Sequence, residues 1–355
     1  MTARGRHILG IGALAGAGGS LAAILIDPTA WLACYLAAFV AVSAIPVGSL
    51  AMLLITYLVR GRWTEELYPP FIAAALTMPA AGLLAAPVLI GIPWLYPWTT
   101  TAARPGALQA VYLAPWFFIA RTVVYFALWT AVALAARNAY GNPGRMIRIG
   151  SVGLILYGLT ASFAGIDWVE SLTPHFHSSI YGLLFITFQL LAGAAFGTFV
   201  VLRRGAAPWR YGEVLLSIML FWAYIQAMQY IVIWAGNIPN EVSWYLARAS
   251  GAWGGVLWAL VLLQFVLPFF ALLSERVRYG RRPLLVVAGA TLALRFVESF
   301  WLVLPGTPAG GPVLLLAVPA AVLAAGAAWL LAFGVALDCI EPRTAAGDRT
   351  AMSAR

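Results

Sequence analysis

Ten long apolar segments, separated by short polar stretches, constrain the fold of this chain more than any other feature. They cover roughly residues 8–26, 31–59, 70–93, 108–136, 149–166, 178–202, 212–236, 251–274, 284–304 and 312–337. A helix needs about 20 apolar residues to cross a bilayer, and only 9% of the residues are charged. The pattern therefore predicts an all-α polytopic membrane protein of about ten transmembrane helices, with a single domain at 1–340 and a short tail at 341–355. Prolines inside the apolar runs predict kinks at Pro46, Pro79, Pro87, Pro115 and Pro268.

The distribution of arginine predicts the orientation in the membrane. The termini and the loops at 60–69, 137–148, 203–211 and 275–283 hold 17 of the 21 basic residues, whereas the alternate loops hold only Arg104 and Arg248. By the positive-inside rule both termini are expected on the cytoplasmic side of a bacterial inner membrane. Loop arginines also explain the net charge of +9 without a nucleic-acid partner. The first segment has the basic start of a signal peptide, but no clear A-x-A site precedes Asp27, so we interpret it as an uncleaved helix.

A faint internal duplication indicates how the helices are grouped. Asp167 stands seven residues before Pro174, and Glu298 stands seven residues before Pro305. Both acids fall at the outer end of a predicted helix, and a tryptophan lies near each of them. We therefore expect two four-helix bundles, helices 2–5 and 6–9, flanked by helices 1 and 10. Secondary transporters are also built from such repeats.

Charged residues within membrane helices are costly and usually face a protein interior or water. Arg121 precedes Tyr125 by one turn in helix 4, Arg295 and Glu298 share one face of helix 9, and Glu213 begins helix 7. These residues are candidates for a proton path. The alternative is that Arg295 and Glu298 form a structural ion pair and that Glu213 is solvated. The helices also carry glutamines that are expected to bond between helices: Gln189, Gln226, Gln229 and Gln264.

The richest polar cluster lies in the outer loop between helices 5 and 6. It contains Asp167, Trp168, Glu170, His175 and His177 within eleven residues. Carboxylates and histidines suit proton acceptance near neutral pH, and an aromatic ring suits the wall of a quinol site. These residues are therefore candidates for a quinol site or an outer proton acceptor. A metal site and an ordinary interfacial loop are the alternatives.

Haem or cluster ligation by this chain is not expected. Bis-histidine haem needs histidines within facing helices, but the only histidines are His7, His175 and His177. The two cysteines, Cys34 and Cys339, are more than 300 residues apart and form no CxxC pair, so neither a disulfide framework nor a cysteine-ligated cluster is indicated. We assign no cofactor to the chain itself, although quinol or quinone remains a candidate ligand.

Short motifs spread over nearly the whole chain resemble those of a known family. They are GRW at 61–63, LYPW at 95–98, RTVVYFALW at 121–129, YGLT at 157–160, IDWV at 166–169, SLTPH at 171–175, IWAGN at 233–237 and FWLV at 300–303. The chain is similar to the NrfD/PsrC-like integral membrane subunits, and most closely to the ActF-type subunits of alternative complex III. The resemblance implies ten helices in two four-helix bundles with one flanking helix on either side. It also implies a role in a quinol:electron acceptor oxidoreductase whose haem and iron–sulfur centres lie in other subunits.

The resemblance carries over particular residues and partners. It implies site roles for Asp167 and His175 and proton-path roles for Arg121 and Glu298. The implied partners are membrane lipid, the quinone pool, the haem- and iron–sulfur-bearing subunits and a terminal oxidase. Two other functions stay open: a secondary transporter, which would act without redox partners, and an assembly or anchoring factor for a terminal oxidase.

Overall fold

The computed structural model describes residues 3–59, 61–99, 111–173 and 175–353. Within these ranges the chain is helical without a strand, and ten of its helical segments are long and apolar enough to cross a membrane. The prediction of an all-α polytopic membrane protein is confirmed. The helices are α1 Ala3–Ile26, α2 Pro28–Leu58, α3 Arg62–Ala75, α4 Met78–Leu83, α5 Ala86–Ile90, α6 Ile92–Leu95, α7 Pro115–Ala139, α8 Pro143–Trp168, α9 Tyr181–Arg203, α10 Tyr211–Gly236, α11 Pro239–Ala249, α12 Gly251–Leu260, α13 Leu267–Leu273, α14 Glu275–Arg278, α15 Arg281–Val303 and α16 Leu314–Ser353.

Proline explains where the helices break. The third membrane segment is divided into α3, α4 and α5, and Pro79 and Pro87 each stand in the first turn of a new piece, where the missing N–H is tolerated. Pro46 lies inside the unbroken α2. Pro115 is the first residue of α7 rather than a kink within it, so that prediction was wrong. Pro268 is the second residue of α13, which follows a π-helical turn, Val261–Val266, that joins α12 to α13.

Several helices extend beyond the predicted apolar runs. Helix α1 begins at Ala3 and α8 at Pro143, and α16 continues to Ser353, so the predicted tail 341–355 is helical over most of its length. Hydropathy marks the part of a helix that fits the bilayer, whereas the backbone hydrogen bonds of the helix continue into the polar residues beyond it. The predicted start of the fourth helix at 108–110 lies outside the described residues.

Two central helices, α2 and α9, hold the halves of the molecule together. Both are buried along most of their length. A Cβ atom on Gly48 would lie 1.8 Å from the carbonyl oxygen of Gln189, and one on Gly193 would lie 2.3 Å from the carbonyl carbon of Gly48. Backbone therefore packs directly on backbone, a contact that small residues permit inside membranes. The Tyr157 hydroxyl of α8 also donates to Gln189 Oε1 at 3.0 Å.

The remaining helices arrange themselves around this pair. Helices α3–α8 pack with α2, and α10 and α15 pack with α9. Helices α11–α14 pack on α10 or α15, and α1 packs against α16, which in turn lies on α2 and α3. Gly16 of α1 leaves no room for a side chain, because its Cβ would lie 2.4 Å from the backbone nitrogen of Ala324. This grouping agrees with two four-helix bundles flanked by the first and last helices.

Candidate functional site

A cavity of about 950 Å³ lies within the second bundle. Its walls come from α10, α11, the α12–π segment and α15, and they are mainly apolar and aromatic. Glu298 is the only carboxylate among the described residues that line it. Gln226, Tyr230 and Tyr245 add hydrogen-bonding groups. Pockets of this size and composition typically hold a largely apolar ligand that a few polar groups orient.

The carboxylate of Glu298 is fixed from three sides. Its Oε1 atom accepts hydrogen bonds from Trp222 Nε1 at 2.9 Å and from Gln226 Nε2 at 2.8 Å, both on α10. Its Oε2 atom pairs with the Arg295 guanidinium one turn earlier on α15. Arg295 and Glu298 are each only 1% exposed. The two residues therefore meet on one helix face, as their spacing predicted, and Glu298 also faces the cavity.

The guanidinium of Arg295 is supported by aromatic rings as well as by Glu298. Its Cζ atom lies 4.8 Å from the Trp222 ring centroid and 5.5 Å from that of Phe188, distances at which a cation is attracted to the ring face. Gln264 is fully buried beside this helix, and both of its amide atoms have no hydrogen-bond partner among the described residues. Gln264 lies on the π turn, a distortion that frequently marks a functional site.

Helix α11 covers one end of the cavity and is anchored by Arg248. The Arg248 side chain is 1% exposed, lies 3.9 Å from the Trp244 ring centroid, and donates to the carbonyl oxygens of Trp244 at 3.1 Å and Leu302 at 2.7 Å. Trp301 Nε1 donates back to the Arg248 carbonyl at 3.1 Å. Burial lowers the pKa of Arg248 to about 10, so it stays charged at neutral pH. Its position in an outer loop gave no sign of this burial.

The first bundle contains a second buried ion pair. Arg121 of α7 donates to both carboxylate oxygens of Asp167 at 2.9 Å, and the Tyr125 hydroxyl adds a third bond at 2.7 Å. Arg121 also donates to the Tyr112 carbonyl at 2.7 Å and lies 3.9 Å from the Tyr112 ring centroid. Asp167 is fully buried. Sequence reasoning placed Arg121 and Asp167 in separate candidate sets, but the structure joins them.

The outer-loop candidates do not form one site. Trp168 packs in an interior aromatic cluster with Phe39, Phe126 and Trp129, and its Nε1 donates to Thr122 at 3.2 Å. None of the described residues lining the cavity comes from this loop. The histidines His175 and His177 are exposed. In the described part of the chain no three His, Cys, Asp or Glu residues are grouped as metal ligands.

Glu170 is the acid of this loop that is linked through Ser178 to α10. It is 6% exposed, and its Oε1 accepts from the Ser178 backbone N–H at 2.9 Å. The Ser178 hydroxyl donates to Gln229 Oε1 at 2.8 Å, and Gln229 lies one turn after Gln226 on α10. Hydrogen bonds therefore join Gln229, Ser178 and Glu170, and Gln229 lies one turn along α10 from Gln226, which donates to Glu298.

Glu213 lies apart from these groups. It stands in the first turn of α10, accepts a hydrogen bond from the Tyr279 hydroxyl and lies 3.7 Å from Arg210 Nε. This bonding raises the pKa of Tyr279. The structure thus places Glu213 at the arginine-rich end of the bundle, whereas α11 covers the cavity at the opposite end.

Fold and site together define a ten-helix membrane protein with a carboxylate-bearing cavity in its second bundle. No known family profile matches the chain, and no curated protein matches its sequence. The function proposed below therefore depends on the geometry and on the resemblance described above.

Proposed function

We propose that this chain is a haem-free membrane subunit of a quinol-oxidising electron-transfer complex of the alternative complex III type. The observation that carries the proposal is an apolar cavity within the membrane-spanning region whose lining includes the buried acid Glu298. The proposed location is the bacterial inner membrane, with both termini cytoplasmic. This orientation follows from the arginine distribution.

A quinol fits the cavity in both size and chemistry. Its ring would lie among Trp222, Tyr245 and Trp301, and its isoprenoid tail would follow aliphatic side chains such as Leu257 and Val261. Aromatic walls bury a large area and favour offset or edge-on contacts with a ring. A hydroxyl of the ring would donate to the Glu298 carboxylate. This proposal moves the quinol site from the outer loop into the second bundle.

The residues around Glu298 provide for the protons that quinol oxidation releases. Oxidation of a quinol gives a quinone, two protons and two electrons. Glu298 would accept the two protons one after the other, passing on the first before it takes the second. While Glu298 is neutral, Arg295 would retain its contacts with the rings of Trp222 and Phe188. A cation–π contact is worth more than about 2 kcal/mol when the cation is desolvated, which limits the cost of losing the paired charge. The electrons would pass to the haem or iron–sulfur centre of a partner subunit.

The protons would leave by a polar route to the outer end. Gln229 and Ser178 connect the Glu298 region with Glu170, and exposed His175 and His177 lie beyond it. Gln229 Nε2 and Glu170 Oε2 are buried and have no hydrogen-bond partner among the described residues. Buried polar groups of this kind commonly bind ordered water, and such waters would complete the route.

Binding of a quinone-site inhibitor to the purified chain tests the cavity directly. The probe is a fluorescent alkyl hydroxyquinoline N-oxide, titrated against wild type and three variants. We expect Glu298→Gln to weaken binding about tenfold, which corresponds to one charge-assisted hydrogen bond, and Leu257→Trp to abolish it by filling the cavity. The matched control Glu213→Gln, on the same bundle but outside the cavity, should bind normally. Equal affinity in all four proteins would refute the site.

Affinity purification in mild detergent separates the functional classes. Recovery with haem- and iron–sulfur-bearing chains supports the proposed complex. A secondary transporter is the second candidate, since its favoured architecture also has two helical halves around a cavity. It predicts an intact protein that purifies alone. An assembly factor predicts that Glu298→Gln changes the amount of terminal oxidase but not the turnover of each complex.

A further inference from the structure

We propose that the arginine-rich end of the second bundle binds the headgroup of a phospholipid that carries two phosphates. The surface consists of residues 203–213, after α9, and residues 275–282, around α14; we name it the arginine surface. It shares no residue with the cavity and does not depend on quinol chemistry. The argument rests on proximity, on unpaired charge and on the apolar surface beside it.

The structure brings the two loops of the arginine surface into direct contact. Arg281 Nε donates to the Leu202 carbonyl at 2.9 Å. A Cβ atom on Gly212 would lie 2.8 Å from the Arg278 carbonyl oxygen, so the backbones of the two loops touch there. The Tyr279 hydroxyl donates to Glu213 across the same junction. Residues 66 to 79 positions apart in the chain therefore form one continuous surface.

Positive charge on the arginine surface greatly exceeds negative charge. Its two loops contain seven arginines but only two acids, Glu213 and Glu275. Arg203, Arg276 and Arg282 are exposed, and none of them forms an ion pair with another described residue. Guanidinium groups bind phosphate oxygens in a bidentate manner. The surface therefore offers several phosphate ligands at separate points, which suits a headgroup with two phosphates better than one.

The neighbouring surface indicates a lipid rather than a soluble phosphate. Apolar side chains of α13 are exposed as that helix approaches Arg276, and Phe270 is 65% exposed. Val286, 69% exposed, lies one turn from Arg282 on α15. Trp209 and Tyr279 are also exposed at the level where aromatic residues anchor a protein in the interface. Headgroup ligands and an acyl-chain surface are thus adjacent, as in basic sites that hold diphosphate lipids between helices.

Native mass spectrometry of the purified full chain with added lipid tests this proposal. Cardiolipin is the two-phosphate probe, and phosphatidylglycerol is supplied at twice its concentration so that the phosphates are matched. Removal of two arginines, Arg276→Gln with Arg282→Gln, is expected to weaken cardiolipin binding about 10- to 30-fold. The Arg276→Lys, Arg282→Lys protein keeps the charges and should retain most of the affinity. The matched control Arg145→Gln with Arg148→Gln, in the first two turns of α8, should bind as wild type does.

Any of three other results would contradict the proposal. Equal loss in the control would show only general attraction to positive loops, and equal binding of phosphatidylglycerol would remove the requirement for two phosphates. Displacement of cardiolipin by inorganic pyrophosphate would assign the surface to a soluble ligand. All variants are compared as monodisperse protein with wild-type helical content. If the double glutamine variant does not fold, the single Arg276→Gln protein is tested instead and is expected to bind cardiolipin about three- to fivefold more weakly than wild type. An affinity equal to that of wild type would refute the site.

Discussion

Breaking the Arg121–Asp167 pair from either side is expected to destabilise the protein unequally. Removal of one partner of a buried ion pair typically costs about 3–5 kcal/mol. In Asp167→Asn the guanidinium keeps its bond to the Tyr112 carbonyl and its place over the Tyr112 ring, and it is 11% exposed. We therefore expect a cost near the lower end, about 3 kcal/mol.

Removal of Arg121 leaves the buried carboxylate of Asp167 unpaired, which is expected to cost more stability than the unpaired Arg121. In Arg121→Met the carboxylate of Asp167 is fully buried and keeps only the hydroxyl of Tyr125 as a donor. Its desolvation is then largely uncompensated, so we expect a cost near the upper end, about 5 kcal/mol. A third variant replaces both residues, Arg121→Met with Asp167→Leu. Because no charge remains buried, it should be more stable than Arg121→Met alone.

The assay is unfolding of the purified chain in mixed detergent micelles with an increasing fraction of denaturing detergent, followed by tryptophan fluorescence and helical circular dichroism. The order of stability expected is wild type, then Asp167→Asn, then Arg121→Met, with the double variant above the last. A conservative control, Val123→Ala on a membrane-exposed face of α7, should change little. Strictly additive losses in the double variant would refute the view that the two side chains act as a pair.

Three further changes test separate parts of the structure. Gly193→Leu forces a side chain into the backbone of Gly48 and should cost at least about 3 kcal/mol, seen as loss of monodisperse protein in size-exclusion chromatography, whereas normal recovery would contradict the close crossing. Arg248→Met frees two buried carbonyls at about 1–3 kcal/mol each and should speed proteolysis within α11; an unchanged cleavage pattern would show that α11 is held otherwise. Trp222→Phe keeps a ring but removes one donor to Glu298, so inhibitor affinity should fall about three- to fivefold, and a loss as large as that of Glu298→Gln would contradict the separate roles.

The sequence predicted what depends on residues near one another in the chain. Ten apolar runs sufficed for ten helices, and the three-residue spacing of Arg295 and Glu298 sufficed for their contact, because a helix brings such positions to one face. The helix ends were less predictable, because the length of an apolar run reflects the thickness of the bilayer, whereas the helix continues into the polar residues beyond that run. Proline gave breaks where it begins a new helix, as at Pro79, but not within α2, where Pro46 is accommodated in an unbroken helix.

The features that the sequence did not predict depend on how helices that are distant in the chain pack together. Arg121 and Asp167 are 46 residues apart, and only the packing of α7 on α8 shows that they form a bidentate pair. Arg248 was assigned to a loop because it lies between two predicted apolar segments, yet it is buried against Trp244. The cavity had no signature of its own, since its walls are ordinary apolar residues from four segments. Gln264 was predicted to bond between helices, whereas both of its amide atoms have no hydrogen-bond partner among the described residues.

The two halves of the protein carry acids at matched positions in different surroundings, and this difference is the reason why we propose the ligand site in the second half. In the first bundle the ring of Trp168, beside Asp167, is enclosed by other aromatic side chains, and the carboxylate is bound by Arg121 and Tyr125. In the second bundle Trp301 lines the cavity, and Glu298 does so as well. A filled bundle stabilises the fold, whereas an incompletely filled one costs packing energy that a ligand can recover. An apolar ligand that donates a hydrogen bond to Glu298 would therefore be expected to stabilise the wild-type protein but not Leu257→Trp.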